Sequence, residues 1–145
     1  MAIYQQGYTD AQRTNSSNRS VRLYRDVALS FEKNSNTQDV IVKKDIEAVK
    51  QSVRNLILTN HFERPFHPEI GSNVTSILFE NPITANILQR TIAECIENFE
   101  PRARLVSVVA EPNLDRNAYS CTIAFYVVNI PGELVQLTTM LERSR

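Results

Sequence analysis

Residues 63–80, ERPFHPEIGSNVTSILFE, hold the densest collection of side chains that could do chemistry. His67 stands among Glu63, Glu69 and Glu80, with Arg64 close by and Ser72 and Ser76 following. A serine hydrolase needs a nucleophile on a sharp G-x-S-x-G turn, and neither serine sits in one. A metal centre would have to combine His61 and His67 with Glu63 or Glu69. The five residues between the two histidines do not place them on one helical face, and Cys95 and Cys121 lie elsewhere. A phosphate cradle needs a glycine-rich loop, yet the whole chain has three glycines, Gly7, Gly71 and Gly132. Glycoside hydrolysis is the enzymatic alternative. It requires two carboxylates about 5–9.5 Å apart, one with a raised pKa. Glu63, Glu69, Glu80 and Glu100 qualify by residue type alone, and no tryptophan is present to form a sugar platform. The expectation is a chain with no catalytic residue, no metal and no cofactor.

The same stretch reads more coherently as rigid architecture. Pro65 and Pro68 fix φ and stiffen the loop. Phe66, between them, is expected to plug the core. Gly71 supplies a φ > 0 corner, after which Ser72 caps a short helix with Val74, Ile77 and Leu78 inward. Arg64 offers a planar fork of donors for a carboxylate or carbonyls across a junction.

Other elements must hold that loop. From Val21 a period of two runs through Leu23, Val27, Leu29 and Phe31, so DVALSF is a candidate strand, EKNSNTQ a turn and DVIV (39–42) a partner strand. Asp45 is a plausible N-cap for DIEAVKQSVRNLILT, whose Ile46, Val49, Val53, Leu56 and Ile57 recur at helical spacing, with Asn60 as the stop. A further helix begins near Thr84, presents Ile87, Leu88, Ile92, Cys95, Ile96 and Phe99, and ends before Pro101. ARLVSVVAE is apolar on both parities, as in a strand covered on both faces. AYSCTIAFYVV aligns Tyr119, Cys121, Ile123, Phe125 and Val127 on one face; LVQLTTMLER alternates Val135, Leu137, Thr139 and Leu141. Helices ahead of an antiparallel meander predict an α+β fold, with helices packed on a small, mostly antiparallel sheet. The last strand is a candidate open edge, flanked by Glu142, Arg143 and Arg145.

At 145 residues the chain fits one domain with a substantial core. Residues 1–20 are too polar to fold alone and are expected to form an extended N-terminal arm, leaving 21–145 as a single α+β domain. Tyr4, Tyr8 and Tyr24, with Arg13, Arg19, Arg22 and Arg25, give the first 25 residues the side-chain types that anchor interfaces. A formal net charge of zero supplies no field toward nucleic acid or acidic lipid. No apolar run reaches the ~20 residues of a membrane span. MAIYQQGYTDAQ lacks a signal-peptide core, so synthesis and retention in a cytoplasm are expected. Cys95 and Cys121 read as small core residues, without a disulfide.

RPFHPEIGSNVTSILFE, followed by a helix that ends in FEPR, resembles the small baseplate wedge subunit of contractile-tailed phages, the sheath-initiator family, with relatives in the type VI secretion baseplate. The likeness runs from about Asp26 to Leu141 and takes in DVALSF, AVKQSVRNLILTN, LFEN and the strands after EPR. It implies a non-enzymatic virion protein, similar to the inner domain of the sheath subunit, that offers the first sheath ring a template. The family's Glu-Pro-Arg motif maps to Glu100, Pro101 and Arg102, which in the family lie against the wedge's core helical bundle. Members have also been labelled lysozyme-like. His67 departs from the pattern, where Asp or Asn is common. The implied partners are other wedge subunits, the tail sheath protein, and tube or tube-initiator proteins, in a ring of copies within the tail baseplate, with neither nucleic acid nor membrane. Glu100 and Arg102 are expected to project from the Pro101 corner into an interface, together with Arg64, Tyr4 and Tyr8, the alternative being an ordinary helix end with a surface ion pair between them; the isolated fold is expected not to depend on Arg102.

Overall fold

The computed structural model describes residues 24–79, 85–113, 118–130 and 132–142. The Tyr4 and Tyr8 arm, Glu80, the start of the helix near Thr84 and the tip of the NLDRN turn lie outside these residues.

Chain order is β1 (Arg25–Val27), β2 (Val42–Lys44), α1 (Ile46–Leu58), α2 (Val74–Phe79), α3 (Ala85–Phe99), β3 (Ala103–Asn113), β4 (Ala118–Val127) and β5 (Leu134–Glu142). β3, β4 and β5 form an antiparallel sheet with β4 in the centre, and β1 and β2 form a separate antiparallel pair. The architecture is the expected α+β arrangement: α3 packs on β3, α1 on α3 and β5, and α2 bridges the two longer helices.

Helical spacing makes α1 and α3 amphipathic, and their stripes meet the inner face of the sheet. Val49, Val53 and Ile57 of α1, Leu88, Ile92 and Ile96 of α3, and Cys121, Ile123 and Phe125 of β4 are buried together. Truncating Phe125, the largest fully buried side chain, to alanine would cost about 3–5 kcal/mol. Inward residues of β4 and β5 follow the predicted parity. The Leu137 side chain is half-buried, and Thr139 is buried opposite Cys121.

Several expectations need correction. The strand proposed in DVALSF stops at Val27: Ala28 N donates to Ile41 O (2.8 Å), Phe31 takes φ 51° and is exposed, and the pairing continues as an isolated Lys33–Val40 bridge. Its partner is found, but three residues later than the start of DVIV, at Val42–Lys44. Apolar residues on both parities of β3 do not mean two covered faces. The register shifts between Leu105 and Ser107, so Ala103 and Leu105 face the core before Val106, and Val108 and Ala110 after it. A bulge inserts one residue and reverses parity; Val106 and Val109 are left exposed. On α3, Ile87 lies outside the buried stripe, 53% exposed, whereas Leu88 is fully buried.

Asp45 occupies the N-cap position, but its side chain makes no capping bond to α1; it accepts from Tyr24 N (3.4 Å) while its carbonyl accepts from Val49 N. Gln51, absent from the apolar stripe, is buried and ties the β1–β2 pair to α1 by donating to Asp26 Oδ2 (2.9 Å) and Val27 O (2.7 Å).

Candidate functional site

α3 closes with Glu100 N donating to Ile96 O (2.9 Å), and Pro101 turns the chain into β3. Glu100 and Arg102 straddle the proline, so both side chains leave the same side of a tight corner. They meet as a fork: Arg102 Nε donates to Glu100 Oε1 (2.7 Å) and Nη2 to Oε2 (2.8 Å). Ser52 of α1 sits between them, donating to Glu100 Oε2 and accepting from Arg102 Nη2 (2.9 Å). The guanidinium lies 5.6 Å from the centroid of the Tyr24 ring, within cation–π range. The Tyr24 hydroxyl donates to Val128 O (3.0 Å), and Val128 N in turn donates to Arg102 O (2.9 Å).

The expected outward projection is therefore corrected for Glu100 alone. Glu100 is turned inward, with a side chain 4% exposed, and its acid function is consumed inside the chain; Arg102, 36% exposed, keeps one side open, and Pro101 is exposed. The corner joins α1, α3, β3, the end of β4 and the residue before β1. Burial pushes the Glu100 carboxyl up, but hydrogen bonds from Arg102 and Ser52 outweigh it and leave it below the usual carboxylate value. The hydrogen bonds it donates to Glu100 hold the Arg102 guanidinium above its usual value. Ser52 and Tyr24 were not legible as partners, because they lie far from residues 100–102 in sequence and neither has a distinguishing neighbour.

The proline loop forms a second unit. Its base is fixed: Ser72 N donates to Thr59 O (2.8 Å), Ser72 Oγ donates to Ile57 O, and Cys95 Sγ donates to Gly71 O (3.0 Å). Gly71 has φ 144°, as the corner requires, and a Cβ there would lie 2.7 Å from Thr59 O. Ser72 thus binds the end of α1 instead of capping α2; Asn73 precedes α2 and its carbonyl accepts from Ile77 N (3.2 Å). Val74 and Leu78 are buried, and Ile77 is half-buried.

Inside the loop, Phe62 N donates to Pro68 O (2.9 Å) and Glu63 accepts from Asn60 N (2.9 Å) and Nδ2 (2.7 Å). Phe66 does not plug the core. It is 91% exposed, since the loop, closed between residues 62 and 68, stands away from the helices. Pro65, Pro68 and Arg64 are also exposed. His67 pairs with Glu69 (Nδ1–Oε1 3.2 Å).

Glu63, Glu69 and Glu100 are the described carboxylates with shifted titration, and all three move downward. Glu63 responds to the Asn60 backbone bond, Glu69 to its own backbone N–H and then His67. A glycosidase acid needs the opposite shift. Among the described residues no three His, Cys, Asp or Glu side chains gather as a metal site. Cys95 and Cys121 are free and buried, and burial pushes each thiol up to about 11. No helix among the described residues is long and apolar enough to cross a membrane.

β3 and β5 each pair with β4 on one side, and among the described residues no strand pairs with the other side of either. On the outer sheet face Val109, Tyr126, Leu134 and Met140 are exposed.

The profile of the family Baseplate wedge protein gp25 matches residues 43–131, which hold the helices, the proline loop, the Glu-Pro-Arg corner and the β3–β4 hairpin. Baseplate wedge protein gp25 of Enterobacteria phage T4 is 31% identical over 125 residues, covering 85% of this chain and 94% of the phage protein. Among solved structures, a chain of the anti-feeding prophage baseplate is 25% identical with TM-score 0.55, covering 84% of this chain and 87% of its own. Two others share the fold at lower identity. A chain of the type VI secretion system baseplate complex has TM-score 0.58 at 17% identity, over 67% of this chain and 92% of its own. A Geobacter sulfurreducens protein named as a candidate tail lysozyme has TM-score 0.59 at 22%, over 67% and 89%. The family profile over most of the fold, together with the near full-length identity to the phage protein, establishes that this chain belongs to the Baseplate wedge protein gp25 family.

Proposed function

We propose that this chain sits at the junction of wedge, tube and sheath and initiates sheath assembly by offering β5 as a sheet edge. One observation carries the reading: β5 runs nine residues, Leu134–Glu142, and pairs with β4 on one side only among the described residues. Backbone N–H and C=O groups along such an edge are ready for a strand from a neighbour, and this pairing tolerates sequence change in the partner. Strand addition at a fixed radius would replace the slow nucleation of a free sheath ring. The exposed side of Arg102, with Pro101 and Arg64, is assigned to contacts with other wedge subunits, and the Tyr4 and Tyr8 arm to neighbouring baseplate or tube subunits. On this reading the chain runs no reaction.

The test is assembly of baseplates with and without the chain, followed by addition of purified tube and sheath subunits. Electron microscopy should show naked tubes without it and sheathed tubes once the purified chain is restored. A map of the restored particles should place a sheath strand beside β5. Normal sheaths on baseplates lacking the chain would overturn the proposal.

A further inference from the structure

We infer that the strand added to β5 carries an aspartate or glutamate opposite Leu137, and that this carboxylate enters a cationic groove between β5 and the outer side of α1. The inference rests on the reading of β5 as a sheet edge and names the chemistry that selects the strand.

The groove has a volume of about 570 Å³, and its walls include Glu47, Lys50, Arg54 and Leu58 of α1, Lys43 of β2 and Leu137 of β5. The four α1 residues recur at helical spacing, so a single stripe of the helix forms one wall. It is a different stripe from Val49, Val53 and Ile57, which lie in the core. Leu137 is the β5 residue that reaches the groove, and no residue of β4 lines it. Since β4 covers the other side of β5, the groove opens beyond β5, where no described strand pairs. A strand added there would lie about 4.8 Å from β5, and its residue opposite Leu137 would point to the same face of the sheet, toward α1.

Charge selects that residue. Three cations line the groove, Lys43, Lys50 and Arg54, against one carboxylate, Glu47. Glu47 and Lys50 meet at 3.1 Å and balance each other. Lys43 and Arg54 form no ion pair among the described residues. Asp26 stands opposite Lys43 across β1 and β2 and keeps its charge while bonded to the neutral amide of Gln51. It does not line the groove, and with it counted the cations still outnumber the carboxylates. Glu133 and Glu142, at the two ends of β5, are four and five residues from Leu137. That is about 13 Å or more along an extended chain, beyond the range over which exposed charges act at physiological salt. Uncompensated cations beside leucines favour a side chain with an apolar stem and a carboxylate end. Its methylenes lie against Leu58 and Leu137, and its oxygens meet the planar fork of Arg54.

The experiment assembles baseplates carrying the chain, adds purified tube and sheath subunits, and titrates the sheath subunit until half the tubes are sheathed. A map of the wild-type particles should show, on the strand beside β5, an Asp or Glu with an oxygen within about 4 Å of Arg54 or Lys43. Arg54→Glu should raise the half-maximal sheath concentration at least about tenfold, while the melting temperature of the isolated chain is unchanged because Arg54 is exposed. Reversing the charge of the strand's acid should restore sheathing. Arg90→Glu, exposed on α3 and outside the groove, should match wild type. A strand beside β5 with an apolar or basic residue in the groove would overturn the inference and leave the β5 reading intact. So would wild-type sheathing by Arg54→Glu, an equal loss in Arg90→Glu, or a groove filled by a second copy of this chain. Absence of any strand beside β5 would overturn both.

Discussion

Removing Arg102 separates the internal role of the Glu-Pro-Arg corner from any role in docking. In Arg102→Ala the Glu100 carboxylate, 4% exposed, keeps only the bond from Ser52. Breaking a fully buried pair in this way costs about 3–5 kcal/mol. Arg102 is 36% exposed, so water already screens one side of the pair, and the discounted expectation is about 2–3 kcal/mol. For a chain of this size that is a fall in melting temperature of about 5–10 °C. Glu100→Gln should cost less, about 1 kcal/mol, because the stranded guanidinium can turn its open side to water and still bond the amide oxygen. The sign of the pH dependence differs between the proteins. In the wild type the folded carboxyl lies below its unfolded value, so its contribution is present above about pH 4.3 and fades as pH falls through the folded value. In Arg102→Ala burial is left without the arginine to oppose it, the folded value moves upward, and the deficit relative to wild type narrows as the solution is acidified. Thermal melts of the full-length chain and both variants from pH 4 to pH 7 test this. A melting temperature for Arg102→Ala within a degree of wild type at pH 7 would refute the internal lock, as would a larger loss in Glu100→Gln.

Two further outcomes are expected. Gly71→Ala introduces a Cβ 2.7 Å from Thr59 O at φ 144° and should destabilise by about 2–4 kcal/mol, read as a lower denaturant midpoint; an unchanged midpoint would show that the corner yields freely. Cys95 and Cys121, with thiol values of about 11, hold roughly one thiolate in a thousand at pH 8. Iodoacetamide should label them only after denaturation, and equal rates in native and unfolded protein would contradict their burial.

Much of this fold was legible because its longest elements repeat a strong local signal. Val49, Val53 and Ile57 mark one face of α1, and alternation along β4 and β5 marks the inner face of the sheet; both sets are buried as the spacing predicts. Failures occurred where a local pattern was overridden by a single residue or by distance. The bulge at Val106 reverses parity and mimics a strand covered on both faces. Phe66 has the composition of a core plug, but composition does not reveal which way a closed loop points. Pro101 correctly predicts the end of α3 and a rigid corner, yet the direction of Glu100 depends on Ser52, 48 residues earlier, and no local spacing encodes that meeting.

The corrections share a direction. Side chains expected to face outward as charges are turned in, with Glu100 bound by Arg102 and Ser52. Side chains expected to fill the core are turned out, with Phe66 at 91% exposure and Ile87 at 53%. Val106, Val109, Tyr126, Leu134 and Met140 add exposed apolar area on the sheet. Apolar surface drives association without strong directional demands, whereas a desolvated charge pair enforces geometry. The buried ion pair of this chain therefore fixes the shape of its own corner, while apolar side chains such as Phe66 stay exposed.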